Sequence, residues 1–212
     1  MPTKEEKLAL ERERTEKMKV FEHKYEPFYA HIGGIDEVGR GPFAGPVYAA
    51  CVILPRGVEI LYLNDSKKLS AKKRDELYDV IMEKAVAVGI GYREAARIDE
   101  INILNATKEA MKDAVDSMKI RPDFLLIDSV SLPDIPIDQF STDKGDALSV
   151  SIAAASIVAK VTRDRLMDEY DRLYPGYGFS RNKGYGTAEH IRALKELGPC
   201  ALHRRTFISK YV

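Results

Sequence analysis

The order of its hydrophobic periodicities constrains this 212-residue chain more than any other feature. Two β-type runs come first, His31 to Val38 and Pro46 to Pro55, joined by the glycine-rich turn Gly39-Arg40-Gly41-Pro42, which marks a hairpin. From there the period changes. Asn64-Asp65-Ser66 has the composition of a helix cap, and Lys67 to Lys84 carries Leu69, Leu77, Val80 and Ile81 at helical spacing. A third strand, Ala85 to Arg93, precedes a second helix, Asp99 to Lys119, with an apolar stripe of Ile101, Leu104, Met111, Val115 and Met118. Arg121-Pro122 closes that helix, because proline cannot continue the ladder. Phe124 to Val130 is short and nearly all apolar, the pattern of a strand covered on both faces. Ile137 to Phe140 reads as a fifth strand, and Ala147 to Tyr170 as a long helix packed through Ala153, Ala154, Ala155 and Ala159. Strands that first meander and then alternate with helices give the α/β class, a mixed five-stranded sheet flanked by helices.

Three parts are expected along the chain: a charged helical appendage over 1–30, a catalytic domain over 31–175, and a basic, helical C-terminal segment over 176–212. Thirteen of the first 24 residues are charged, and Leu8, Leu10, Met18 and Phe21 are too sparse for a buried stripe, so this stretch reads as a solvated helix outside the main core. The longest apolar stretch, Val47 to Leu54, is too short to span a bilayer, and no membrane association is expected. The charged start has no signal-peptide pattern, and Cys51 and Cys200 stand far apart with no metal-type spacing. A reducing cytoplasm and a monomer are the expectation. Basic and acidic residues cancel at 33 each, so any nucleic-acid surface has to be local. Such asymmetry exists: residues 181–212 hold seven Lys/Arg against two Glu, while 128–146 hold five Asp against one Lys. The four histidines, His23, His31, His190 and His203, are poorly clustered and read as surface or packing residues.

Four carboxylates stand where strands end or turns begin: Asp36 and Glu37 after Gly33-Gly34-Ile35, Asp128 after Leu125-Leu126-Ile127, and Asp146 in Lys144-Gly145-Asp146. A half-buried acid after three large apolar residues costs free energy unless it is paired or bound to a metal. Oxygen-only sets of this kind suit Mg²⁺ or Mn²⁺, and no His or Cys cluster competes for zinc. Asp36 and Glu37 are neighbours, and adjacent strand residues point to opposite faces. Their use in one site therefore predicts a broken pleat, with a local bulge or a strand end at the glycines 39 and 41.

Several separated motifs carry a family resemblance. Residues 34–42 (Gly-Ile-Asp-Glu-Val-Gly-Arg-Gly-Pro), Asn64-Asp65-Ser66-Lys67-Lys68-Leu69, Leu126-Ile127-Asp128, Lys144-Gly145-Asp146, Ala153 to Asp164, Lys183-Gly184-Tyr185 and His203-Arg204-Arg205 resemble bacterial ribonuclease HII, in the expected order over residues 31 to 208. The resemblance implies a ribonuclease-H-like fold and an endonuclease that cuts the RNA strand of RNA–DNA hybrids. It also implies cleavage 5′ to single ribonucleotides in duplex DNA, leaving a 3′-hydroxyl and a 5′-phosphate by a two-metal-ion mechanism with Mg²⁺ or Mn²⁺. It places the metal ligands on Asp36, Glu37, Asp128 and Asp146, with Asp36 bridging both ions and Asp146 holding the ion that activates water. It sets Gly39, Arg40 and Gly41 at the ribose 2′-hydroxyl and Tyr185 at the junction between a ribonucleotide and the deoxyribonucleotide that follows. An aspartate at 146 and the short lead before His31 favour this resemblance over the related ribonuclease HIII pattern.

Phosphate contacts are expected from Ser66, Lys67 and Lys68, at a helix start where N–H groups and the dipole favour anions, and from Arg204 and Arg205 in the basic arm. Two other classes compete. A metal-dependent phosphatase would explain the acids but not Gly39-Arg40-Gly41 or the basic arm. A non-catalytic nucleic-acid-binding module would leave four acids costly and without purpose.

Overall fold

A computed structural model describes residues 3–143 and 145–212. Lys144, part of one of the motifs above, lies outside them. Five strands form one sheet: β1 (Ile32–Val38), β2 (Val47–Ile53), β3 (Ala87–Arg93), β4 (Phe124–Asp128) and β5 (Asp138–Thr142), in the order β3-β2-β1-β4-β5. The first three pair antiparallel, and β4 and β5 join parallel to β1, so the expected mixed sheet is present.

Alternation divides the sheet into two apolar faces. Ile35, Val47, Ala49, Cys51, Leu125 and Ile127 pack against α4 (Ala95–Asp116). On the other face, Ala50 and Val52 pack against α3 (Ala71–Lys84) and α5 (Val150–Leu173). Gly34 lets α5 approach β1 closely: a Cβ there would stand 2.1 Å from the Ser151 carbonyl carbon.

Several boundaries differ from the sequence expectations for physical reasons. Asn64-Asp65-Ser66 caps only the 3₁₀ turn Ser66–Lys68, through Asp65 accepting the Lys67 N–H at 2.9 Å, and the true N-cap of α3 is Ser70. The α4 helix starts four residues before Asp99 and is interrupted at Asn102, whose φ is +68° and whose Oδ1 accepts the N–H groups of Leu104 and Asn105. That restart turns Leu104 out of the expected apolar stripe, leaving it 42% exposed.

The N-terminal stretch contains two helices, α1 (Lys4–Lys17) and α2 (Val20–Tyr25). α1 is largely exposed, whereas Met18 joins the core, Phe21 and Tyr25 pack on Phe124 and Phe140, and Glu22 is buried. The Glu22 carboxylate accepts the Ser149 hydroxyl at 2.6 Å and the Ser151 N–H at 3.0 Å, at the start of α5, where a negative charge complements the helix dipole. Residues 18–25 are therefore docked, and the solvated-helix expectation does not extend to them.

After α5, three short helices, α6 (Phe179–Asn182), α7 (Ala188–Leu197) and α8 (Arg205–Ile208), fold back on the β1–β2 loop around Ala44, Met167, Phe179 and Leu202. No helix among the described residues is long and apolar enough to cross a membrane.

Candidate active site

The parallel register of β1 and β4 pairs Ile35 with Ile127, so the next residues, Asp36 and Asp128, end up side by side at the C-terminal edge of the sheet. Both leave the face that α5 covers. β1 is regular through Val38, with Glu37 opposite Ala49 and Val38 opposite Tyr48, so of the two expectations the bulge is absent and the strand end is present, just before Gly39. Glu37 therefore starts from the opposite face of the pleat. Glu37 nevertheless lines one cleft of about 480 Å³ together with Gly39, Arg40, Gly41, Ser66, Lys67, Ser156, Lys160 and Tyr185, whereas Asp36, Asp128 and Asp146 stand outside that lining. Gly39, at φ +89°, is where the chain turns out of β1, a backbone region that favours glycine.

The acids are poorly neutralised. Asp36 is 7% exposed, and burial, then the Glu37 and Asp128 charges, push its carboxyl well above the usual range. Its Oδ1 accepts the Glu37 N–H at 2.7 Å. Burial also raises Glu37, against the pull of Arg40, whose guanidinium stands 3.4 Å from Oε1. The other oxygen, Oε2, is buried with no hydrogen-bond partner. Asp128 accepts the Gly145 N–H at 2.7 Å, which ties the turn bearing Asp146 to the end of β4. Asp146 is raised by burial and then by Asp65 and Asp128, with Lys68 and Lys67 opposing. Among the described residues no three Asp, Glu, His or Cys side chains converge as a ready-made ligand set. The oxygen-only donors, the mutual repulsion and the orphaned Oε2 of Glu37 nevertheless fit a hard divalent cation, which would supply the missing positive charge.

Around the acids, the structure sorts the other expected residues. Gly39, Arg40, Gly41, Ser66, Lys67 and Tyr185 share the cleft. Lys68 is exposed on the 3₁₀ turn, 4.0 Å from Asp65, so both lysines precede α3 and do not sit on its first turn. Tyr185 is 42% exposed, which removes it from the core. Arg204 contradicts the phosphate-contact expectation. It is fully buried, and its guanidinium donates to the carbonyls of Gly39 (2.5 Å), Arg40 (2.8 Å) and Gly45 (2.9 Å), so it braces the glycine loop from behind. Arg205 is exposed outside the cleft lining. No acceptor among the described residues takes the N–H groups of residues 39–41, so the carbonyls of Gly39 and Arg40 are engaged while the amides stay free.

Three residues on one face of α5 were not singled out from sequence. Ser156 bonds the Ser66 hydroxyl at 2.9 Å and reaches Asp36. Lys160 lines the cleft and pairs with Asp164 at 2.6 Å. Arg163 is buried and donates to the carbonyls of Pro46, Lys183 and Ala44. Their spacing of four and three residues was the available signal. The histidines divide: His190 and His203 are buried and touch each other, which corrects the expectation that the four are scattered.

A family model described as Ribonuclease HII matches residues 33–210. The chain is 62% identical to the ribonuclease HII of Lachnoclostridium phytofermentans over 96% of its own length and 80% of that relative's. It is 56% identical to that of Caldanaerobacter subterraneus subsp. tengcongensis, covering 98% of this chain and 88% of the relative. Among solved structures, the ribonuclease H2 of Pyrococcus horikoshii superposes with a TM-score of 0.69 at 25% identity, over 85% of this chain and 96% of that one.

Proposed function

The chain belongs to the ribonuclease HII family and is a ribonuclease H acting on RNA–DNA hybrids; from that premise we propose that it also cuts duplex DNA on the 5′ side of a single embedded ribonucleotide, leaving a 3′-hydroxyl and a 5′-phosphate. The observation that carries this reading is the under-neutralised Asp36 and Glu37 at the end of β1, with Glu37 lining the same cleft as a glycine loop with free amides. Asp36, Glu37, Asp128 and Asp146 would hold two divalent cations, Mg²⁺ or Mn²⁺. When bound, such ions polarise the phosphate, lower the pKa of water and stabilise the leaving oxygen.

The chain's own residues do the rest. The Gly145 N–H and the Ser129 hydroxyl orient the Asp128 carboxylate, and the Glu37 N–H and Ser156 orient Asp36, so the ligand oxygens are held before any substrate arrives. The free amides of residues 39–41 and Arg40 meet the ribose, where a 2′-hydroxyl can both donate and accept. Arg204 keeps that loop in place and does not touch phosphate itself. Ser66, Lys67 and Lys68 take backbone phosphates, positioning the duplex without reading sequence. Tyr185 offers an exposed ring at the edge of the same cleft, suited to stacking at the junction. The phosphatase reading leaves this loop and ring without a role. We assign the activity to a cytoplasmic monomer.

The test is cleavage of a DNA duplex with one ribonucleotide, with product ends mapped by sequencing-gel mobility and phosphatase sensitivity. A nick 5′ to the ribonucleotide, abolished by chelation and restored by Mg²⁺ or Mn²⁺, is expected. Cleavage of uniform hybrids with no nick at the single ribonucleotide overturns the proposal.

A further inference from the structure

Behind Tyr185 lies a buried hydrogen-bonded chain that the cleft does not use directly. His190, on α7, is fully buried and His203 is 2% exposed. His190 Nδ1 stands 2.9 Å from the Tyr185 carbonyl oxygen, and its Nε2 stands 3.0 Å from His203 Nε2. His203 Nδ1 in turn stands 3.0 Å from the main-chain nitrogen of Cys200.

The two ends of this chain dictate its protons. A carbonyl can only accept, so His190 Nδ1 carries a hydrogen. A main-chain N–H can only donate, so His203 Nδ1 carries none. The bond between the rings then requires His203 Nε2–H to donate to a bare His190 Nε2. One arrangement of two neutral imidazoles satisfies every link. An added proton on either ring sets a donor against a donor, at the junction of the rings or at Cys200. We propose that His190 and His203 are positioning residues, a neutral imidazole pair of fixed tautomer that pins the backbone of residues 184–186 and thereby holds the Tyr185 ring at the cleft; this rests on the reading of Tyr185 as a substrate-facing residue.

The surroundings agree with that state. The rings of Phe43, Tyr177 and Phe179 pack around the pair. The other titratable groups facing it are the Cys200 thiol, 3.2 Å from His203 Nδ1, the Tyr177 hydroxyl, which donates to the Gly198 carbonyl, and Arg205. Among the described residues no carboxylate acts on either ring, so a charged imidazole would have no counterion. Burial lowers both pKa values. The geometry also links the pair to the loop: Gly184 accepts the N–H of Phe43 at 2.8 Å, and Arg204, next to His203, braces Gly39 and Arg40. One short segment of the C-terminal arm thus sets both substrate-facing pieces.

Two measurements decide the matter. Long-range ¹H–¹⁵N imidazole spectra of the full chain at pH 7, with the His190 and His203 rings assigned by substitution, are expected to show both of these rings neutral, His190 as Nδ1–H and His203 as Nε2–H. A charged ring, or two rings of the same tautomer, overturns the pair. For function, kcat/KM is measured on a duplex with one ribonucleotide and on a uniform hybrid, for His190→Leu, His190→Asn and Tyr185→Ala. The Asn amide can keep the donor to the Tyr185 carbonyl, whereas Leu cannot. The single-ribonucleotide to hybrid ratio is expected to fall by about tenfold in His190→Leu and to recover mostly in His190→Asn. If Tyr185→Ala lowers the ratio while both His190 variants keep the wild-type value, the positioning role is overturned. If Tyr185→Ala leaves the ratio unchanged, the substrate-facing reading fails and takes the positioning role with it, while the spectra still decide the state of the pair.

Discussion

Two regions flank the loop of residues 39–46, and both bury like charges. On one side Asp36 and Glu37 stand together, each raised first by burial, with Glu37 Oε2 unpartnered. On the other, Arg163 and Arg204 are fully buried, and burial and their mutual repulsion lower Arg204. Between them these arginines donate to carbonyls of Gly39, Arg40, Ala44, Gly45, Pro46 and Lys183. Charge and burial are therefore alike, and what differs is satisfaction. The two arginines have their N–H groups met by carbonyls and act as scaffold; Glu37 is left short of a partner beside a second repelling acid.

The strongest way to break this contrast is Asp36→Asn. It removes one repelling charge while the amide oxygen can still accept the Glu37 N–H. Cleavage is expected to fall by about 10³-fold or more, while the melting temperature measured in chelator holds or rises. An inactive protein that also unfolds several degrees lower would place Asp36 in the scaffold after all. The mirror experiment is Arg204→Met, which leaves three carbonyls of the loop unsatisfied. Stability by urea unfolding should fall by about 3 kcal/mol, with KM raised through the loosened glycine loop. A variant as stable as wild type would show that the carbonyls find water and that the brace is dispensable.

The pH dependence of stability separates the regions by sign. His203 is lowered by burial from its ordinary 6.5 to about 4, so between those values the unfolded chain binds a proton that the folded one refuses. Its contribution is fully present above pH 6.5 and is lost as pH falls toward 4, on the order of 2 kcal/mol by pH 5. Asp36 has the opposite sign, since a raised carboxyl favours the folded state on acidification. Subtracting the curve of His203→Gln from that of wild type isolates the first effect, and a flat difference between pH 7 and 5 would contradict it. The smallest expected change lies at the surface. Lys67→Ala and Lys68→Ala should each flatten the slope of log affinity against log salt by about 0.7 to 0.9, whereas a more conservative Arg204→Lys should leave the slope alone. Equal flattening by all three would return Arg204 to the phosphate-binding set.

Much of this was legible in the order of residues. The apolar run before Asp128 and the glycines before Asp36 mark strand ends carrying acids, and period-2 runs followed by helix–strand alternation specify the mixed sheet. Those signals are local, because side-chain direction repeats with the backbone period. What a residue meets across the fold is not local. Arg204 and Arg205 are adjacent basic residues of one motif, yet one is fully buried behind the glycine loop and the other faces solvent. Asp36 and Glu37 called for a bulge or a strand end by the logic of the pleat, and the register with β2 stays intact until β1 ends at Val38, with Glu37 lining the cleft. His190 and His203 look scattered at thirteen residues' separation and meet only because α7 and the turn before α8 fold onto the same side of Ala44. The chain by itself determined which groups are acidic, basic or flexible and where strands end. The tertiary structure alone decided which of those charges found partners, because a hydrogen bond depends on distance and angle and not on separation along the chain.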